Sequence, residues 1–376
     1  MGDHRMNRRD LFRRGAAGGL GLAGLGMAAG RLDVAGALAA TPHATAAPPI
    51  TVQGDTLHVF SNNLPPRIQW DENYGYCGET AMVSAGLYYG QYVSQYDARA
   101  FASKNEPQDQ EGSQLLVDTN AVYAANQMRM NAVKYNTDNE DSTASFLAWV
   151  KQNVVKGYPV AIGVFINQHL FQLSDDPSAG DPNYDHIVLV TGVGSNHPLT
   201  DPAYYPDDTI YFSDGGEWPL NDDPQYIFEY PFAAFQKNRQ QANAHNGPVY
   251  STLNNGTNLG VVITGVADLN HDTLPVWVNT SANYEQPEIV DGSPTRPKPM
   301  ALSLTITVLG MQPGVKYQLY RYASFGAVPT SRFNANAHSA KKAWSIQSAS
   351  GTGYTVTDQI MSNEIAVYRA VPASAG

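Results

Sequence analysis

Apolar positions along the chain change their period twice. Between 79 and 91 they fall at Met82, Ala85, Leu87 and Tyr88 with few breakers, which predicts a helix. Helices are also predicted over 114–130 and 143–155, the second with Phe146, Leu147, Val150 and Val154 on one face and Ser142 or Thr143 as its cap. At Lys156 the texture changes. Gly157-Tyr158-Pro159 is a turn signal, and the apolar run 160–165 behind it has the length of a buried strand. Strands are predicted over 51–60, 186–193 and 209–213 as well. Helices followed by a set of strands describe an α+β unit, not an alternating doubly wound sheet. From about Tyr250 the helical signals stop. Stretches at 261–266, 274–278, 301–308, 315–322, 354–357 and 365–370 read as strands between Gly, Pro and Asn clusters, with Met311-Gln312-Pro313-Gly314 as a turn. The pattern therefore predicts an α+β unit over 47–249 and an all-β, sandwich-like unit over 250–376.

Ahead of both units, Asn7-Arg8-Arg9-Asp10-Leu11-Phe12 resembles the twin-arginine export motif, and a Gly/Ala/Leu run from Gly15 to Gly30 follows it. That run is too short and too rich in glycine for a stable membrane span. Small residues at Ala37-Leu38-Ala39 or Ala44-Thr45-Ala46 offer a cleavage site, so 1–46 is expected to be a signal and leader. The mature protein is expected in the periplasm or outside the cell, without a membrane segment of its own.

Composition narrows the chemistry. A net charge of -11 over 376 residues opposes binding to nucleic acid or anionic lipid, both of which need a positive field. With 15% charged residues beside 22 Tyr, 33 Gly and 24 Pro, the balance is that of secreted, loop-rich β proteins. The single cysteine can form no internal disulfide. Keeping one thiol in an exported protein points to buried packing or to chemistry.

The segment from Gln69 to Ala81 favours chemistry. Cys77 falls at a loop-to-helix junction, where the positive end of the helix dipole stabilises a thiolate. Gly78 is expected to let a substrate carbonyl approach the backbone donors of an oxyanion site, and Gln69 can add an amide donor from upstream. A thiol nucleophile needs a base, and His186 heads the apolar strand 187–193. The base needs an orienting group, for which Asp214 at a strand end is the first candidate and Asp208, Asn196 and Asp185 are others. Each residue also has a plainer reading: Cys77 as a small core hydrophobe, His186 as a core histidine, Asp214 as a turn aspartate and Gln69 as a surface residue. His169 and Trp218 are expected to shape the cleft or core. Asp268-Leu269-Asn270-His271-Asp272 has the alternate-oxygen spacing of a calcium loop, but Thr273 and Asn279 stand where a glycine and a glutamate belong, so a polar turn is favoured. No His/Cys cluster or phosphate loop is present, and no metal or other cofactor is expected.

Gln69…Cys77-Gly78-x-Thr80, then 157–164, 186–192 and Tyr211-Phe212-Ser213-Asp214 together resemble the papain superfamily of cysteine peptidases, in particular its bacterial branch related to double-glycine leader peptidases. The resemblance covers 65–218. It implies a papain-like fold acting on a peptide or protein substrate, with Cys77 as nucleophile, His186 as base, Asp214 as orienting group and Gln69 as oxyanion donor. Glu79 departs from the family pattern, and its charge is expected to oppose the thiolate. The spacing from Gln69 to Cys77 is longer than in papain itself. Two other functions fit the same residues: acyl transfer to an amine, as in transglutaminases, and an inactive papain-like domain whose β unit docks to a cell surface or glycan.

Overall fold

The computed structural model describes residues 50–52, 55–62, 64–65, 67–70, 73–136, 142–169, 176, 179–215, 227–236, 249–282, 289–290, 293–294, 298–349 and 353–374. The expected signal and leader, 1–46, and Trp218 lie outside them. Its architecture is α+β, with antiparallel pairing throughout. The helices are α1 (Cys77–Tyr88), α2 (Gln95–Ala102), α3 (Ala121–Gln127), α4 (Thr143–Val154) and the single turn α5 (Phe232–Phe235). Among the described residues no helix is long and apolar enough to cross a membrane.

The first ten strands in chain order are β1 (Ile50–Val52), β2 (Asp55–Ser61), β3 (Gln91–Tyr92), β4 (Met130–Lys134), β5 (Val160–Ile166), β6 (His186–Ser195), β7 (Thr209–Ser213), β8 (Ile227–Pro231), β9 (Tyr250–Ser251) and β10 (Gly260–Val266). All but β3 join one sheet whose central strand is β6. The first half of β6 pairs with β5 and the second half with β2, while its other edge carries β7. Both β5 and β6 are buried along their whole length, which is why they read as continuous apolar runs rather than alternating ones. On one face, α4 brings Phe146, Leu147, Val150 and Val154 against Val160, Ile162, Val188 and Val190. Ser142 caps that helix by accepting the Ser145 N–H at 3.1 Å. On the other face, α1 and α3 pack against Ala161, Ile187, Leu189, Val261 and Ile263.

Two expectations are corrected here. The segment 114–130 is not one helix. Asn120 accepts the Leu116 N–H at 2.8 Å and donates to the Gln114 carbonyl at 2.9 Å, which holds 114–120 as a loop. Arg129 then takes a left-handed φ of 57°, which stops α3 and turns the chain into β4. Nor does the first unit end at 249. β9 pairs with β5, and β10 pairs with both β5 and β4, so residues 250–266 build the first sheet. A strand's periodicity shows that it is a strand and says nothing of its partner.

The remaining strands are β11 (Val276–Thr280), β12 (Ile289–Val290), β13 (Ser293–Pro294), β14 (Ala301–Leu309), β15 (Lys316–Tyr322), β16 (Lys342–Gln347), β17 (Gly353–Met361) and β18 (Ala366–Pro372). They form a sheet in the order β11-β14-β17, a short β12-β13 pair and a sheet in the order β16-β15-β18-β3. The inward residues of β14 (Leu302, Leu304, Ile306, Val308) share one core with Leu319, Tyr322, Val367 and Val371 of the facing sheet. The last strand of that sheet, β3, is the chain leaving α1: Tyr92 pairs with Ala366 and Gln91 with Val367. Helix α1 is thereby enclosed between β6 and β11, and every residue from Cys77 to Leu87 is buried. It is a core helix without a polar face.

Candidate active site

The approach to Cys77 runs through three consecutive left-handed residues, Asn73 (φ 49°), Tyr74 (φ 69°) and Gly75 (φ 79°). Asn73 adopts this region readily, but a bulky residue such as Tyr74 persists there only where the surroundings enforce it. Arg99 of α2 does so. Its guanidinium is fully buried and donates to the carbonyls of Asn73 at 2.8 Å, Gly75 and Gln108 at 3.3 Å, and it lies 3.6 Å over the Tyr76 ring. Its Nε meets Glu79 Oε1 at 2.6 Å, and the same oxygen accepts the Leu115 N–H at 2.9 Å. Tyr76 adds a bond from its hydroxyl to Gln108 Oε1 at 2.7 Å. Glu79 is therefore neutralised in a buried ion pair, which corrects the expectation that its charge opposes the thiolate.

Cys77 is the first residue of α1, so its N–H has no acceptor within the helix. Gly78 is needed for a reason other than the one expected. A Cβ there would stand 1.9 Å from the Leu115 carbonyl oxygen and 3.1 Å from Ile187, so its bareness seats the helix against those residues.

His186 and Asp214 come from strands. His186 opens β6 opposite Val164, and Asp214 directly follows β7, whose Ser213 pairs with Leu189. Antiparallel register thus brings the two side chains to one end of the sheet. His186 Nε2 lies 2.6 Å from Asp214 Oδ1, and His186 also hydrogen-bonds Cys77. With Nε2 on the carboxylate, Nδ1 remains for the thiol. All three groups are buried, at 6% exposure for Cys77, 3% for His186 and 0% for Asp214. Burial alone would push the imidazole toward its neutral form. The charge and hydrogen bond of Asp214, and then those of Cys77, outweigh it and raise the pKa of His186 to about 10. The residue after Asp214 is also confined, because a Cβ on Gly215 would stand 2.6 Å from Thr80 Cγ2 of α1.

Gln69 is buried at 1% exposure, not on the surface, and its backbone N–H donates to the Gly215 carbonyl at 2.6 Å. Its Nε2 is 3.9 Å from where a Gly75 Cβ would be, and its Oε1 has no hydrogen-bond partner among the described residues. Gln95 fixes this segment. It donates to the Ile68 carbonyl at 2.7 Å and accepts from the Trp70 N–H at 3.1 Å and the Thr80 hydroxyl at 2.8 Å, which ties the segment around Gln69 to the Cys77 helix.

The other orienting candidates are engaged elsewhere. Asp208 pairs with Lys151 at 2.7 Å, Asn196 with Asp207 at 3.1 Å, and Asp185 accepts the Ile166 and Asp181 N–H groups at 2.9 and 2.7 Å. His169 lies just past β5, its N–H bonded to Asn167 Oδ1 at 3.1 Å. Asp268 folds its carboxylate onto Asn270 and Thr273 of its own turn. No cluster of three His, Cys, Asp or Glu able to hold a metal ion occurs among the described residues.

Three residues of this arrangement escape a reading by motif: Arg99, Gln95 and Tyr250. Tyr250 of β9 donates its hydroxyl to Asp214 Oδ2, and its ring lies 6.4 Å from that of His186 at 25°. No local signal marks them, since each acts on a segment distant in sequence. Comparison of the chain with known protein families, characterised proteins and solved structures finds no match. The chemistry must be read from the geometry itself.

Proposed function

We propose that the protein is a cysteine hydrolase of the papain-like kind, acting on peptide or amide bonds. The observation that carries this reading is the buried imidazole of His186, hydrogen-bonded to Cys77 on one side and to Asp214 on the other. A histidine between a thiol and a carboxylate favours the thiolate–imidazolium pair, the reactive state of a nucleophilic cysteine. The Cys77 sulfur attacks the carbonyl carbon. The oxyanion that forms is received by the Cys77 N–H at the head of α1 and by the Gln69 amide. As the tetrahedral centre collapses, the proton on His186 passes to the leaving amine and an acyl-thioester remains on Cys77. Water, deprotonated by His186, then releases the acid and restores the thiol. Asp214 holds the imidazole in one tautomer throughout. The rival reading of an inactive binding protein drew on Glu79, and the pairing of Glu79 with Arg99 removes that support. Export by the twin-arginine route is part of the proposal and rests on residues 7–12.

The test is mass spectrometry after brief iodoacetamide treatment across pH 5 to 9. Rapid labelling of Cys77 well below the ordinary thiol pKa of about 8.5, slowed by His186→Ala, is the expected result. Labelling at the rate of a free thiol in both proteins would sink the proposal. Product formed with a primary amine in place of water would move the assignment to acyl transfer.

A further inference from the structure

We propose that Tyr250 is a positioning residue of this site, acting through Asp214: its phenolic O–H holds the carboxylate turned so that Oδ1 faces His186. The inference rests on the thiol chemistry proposed above. Asp214 lies one residue beyond β7, where strand pairing no longer fixes its side chain, and it is fully buried. A buried carboxylate has two oxygens to satisfy, and only one meets the imidazole. Tyr250 supplies a donor to the other.

The tyrosine is itself held on every side. Its strand pairs Tyr250 with Ile166, its ring meets Phe212 at 5.4 Å and 90° and Phe228 at 5.0 Å and 76°, and the Tyr230 hydroxyl bonds the backbone of Val249 and Tyr250. Val164 pairs with His186 and Ile166 with Tyr250, and alternate residues of β5 share a face, so strand register delivers the imidazole and the phenol to the same side. An O–H donated to a carboxylate favours the ionised form, so the proton between Asp214 and His186 stays on the imidazole.

Tyr250→Phe keeps the ring and removes only the hydroxyl. The measurement is the pH dependence of Cys77 alkylation by iodoacetamide, with thermal melts to show that the variant is folded. The acid limb is expected to move up by about one pH unit, the ordinary effect of one hydrogen bond to a charged carboxylate. 3-Fluorotyrosine placed at position 250 alone, a more acidic phenol, should move the limb down, and it carries the test if the Phe variant does not fold. In an Asp214→Asn background Tyr250→Phe should leave the limb where it is. A limb that superimposes on wild type in both Tyr250 variants, or a rate lowered equally at every pH, overturns the inference and leaves the proposed function standing. Wild-type labelling no faster than a free thiol overturns both.

Discussion

The two sides of the site are held by different physics. Cys77 follows a strained turn fastened by one buried cation, Arg99, which answers three backbone carbonyls and the Glu79 carboxylate. His186 stands on the β5-β6-β7 ladder and Asp214 one residue past its end, so many equivalent backbone bonds share the task of placing them and aromatic rings fill the space behind. A side chain held by a charge cluster is lost when one member goes, because the remaining charge stays buried without a partner. A side chain held by a ladder loses its support gradually. The Cys77 side is therefore the fragile half.

Substitutions can break or sharpen this contrast. Arg99→Ala should have the largest effect, a loss of about 3–5 kcal/mol of stability with Glu79 left buried and unpaired. Urea denaturation measures it, and Arg99→Met combined with Glu79→Gln should recover much of the loss. Next comes the His186 side, read through pH. The pKa of His186, raised to about 10 in the fold, lies above the ordinary value of about 6.5. Its stabilising contribution is complete below about 6.5 and is lost as pH rises through about 10. The difference in stability between wild type and His186→Gln should accordingly narrow across that window, and denaturation curves at fixed pH steps check it. Gly78→Ala drives a methyl group into the Leu115 carbonyl and should destabilise by about 1–3 kcal/mol, with slower Cys77 labelling as α1 shifts. At the far end of the scale, Lys341→Ala removes an exposed pair with Glu364 and should change stability by less than about 1 kcal/mol, leaving labelling unchanged.

The legible parts of the molecule are those written locally. The apolar runs that became β5 and β6, the α4 stripe with its Ser142 cap, and the separate settings of Cys77, His186 and Asp214 each declare themselves within a few residues. What stayed hidden depends on distant partners. Asn120 and Arg129 divide a stretch whose apolar spacing alone suggests one helix. The two residues of β3 are too short for any periodic signal and are strand only because β18 lies beside them. Glu79 read as a liability since nothing near it in sequence announces Arg99. Cys77, His186 and Asp214, which the fold brings together, could be named from their residue types and setting, whereas Gln95 and Tyr250 are visible only once the sheet and helices are assembled.

The pairing of β3 with β18 also sets an order in time. The turn that follows the Cys77 helix is gripped by Arg369, which donates to the Tyr89 carbonyl at 3.1 Å across 280 positions of chain, and by Tyr368, whose N–H reaches the Gly90 carbonyl at 2.7 Å. A ribosome delivers the thiol early and these two residues late. Throughout the intervening synthesis the turn behind the Cys77 helix lacks these two anchors, and a copy cut short before Tyr368 never acquires them.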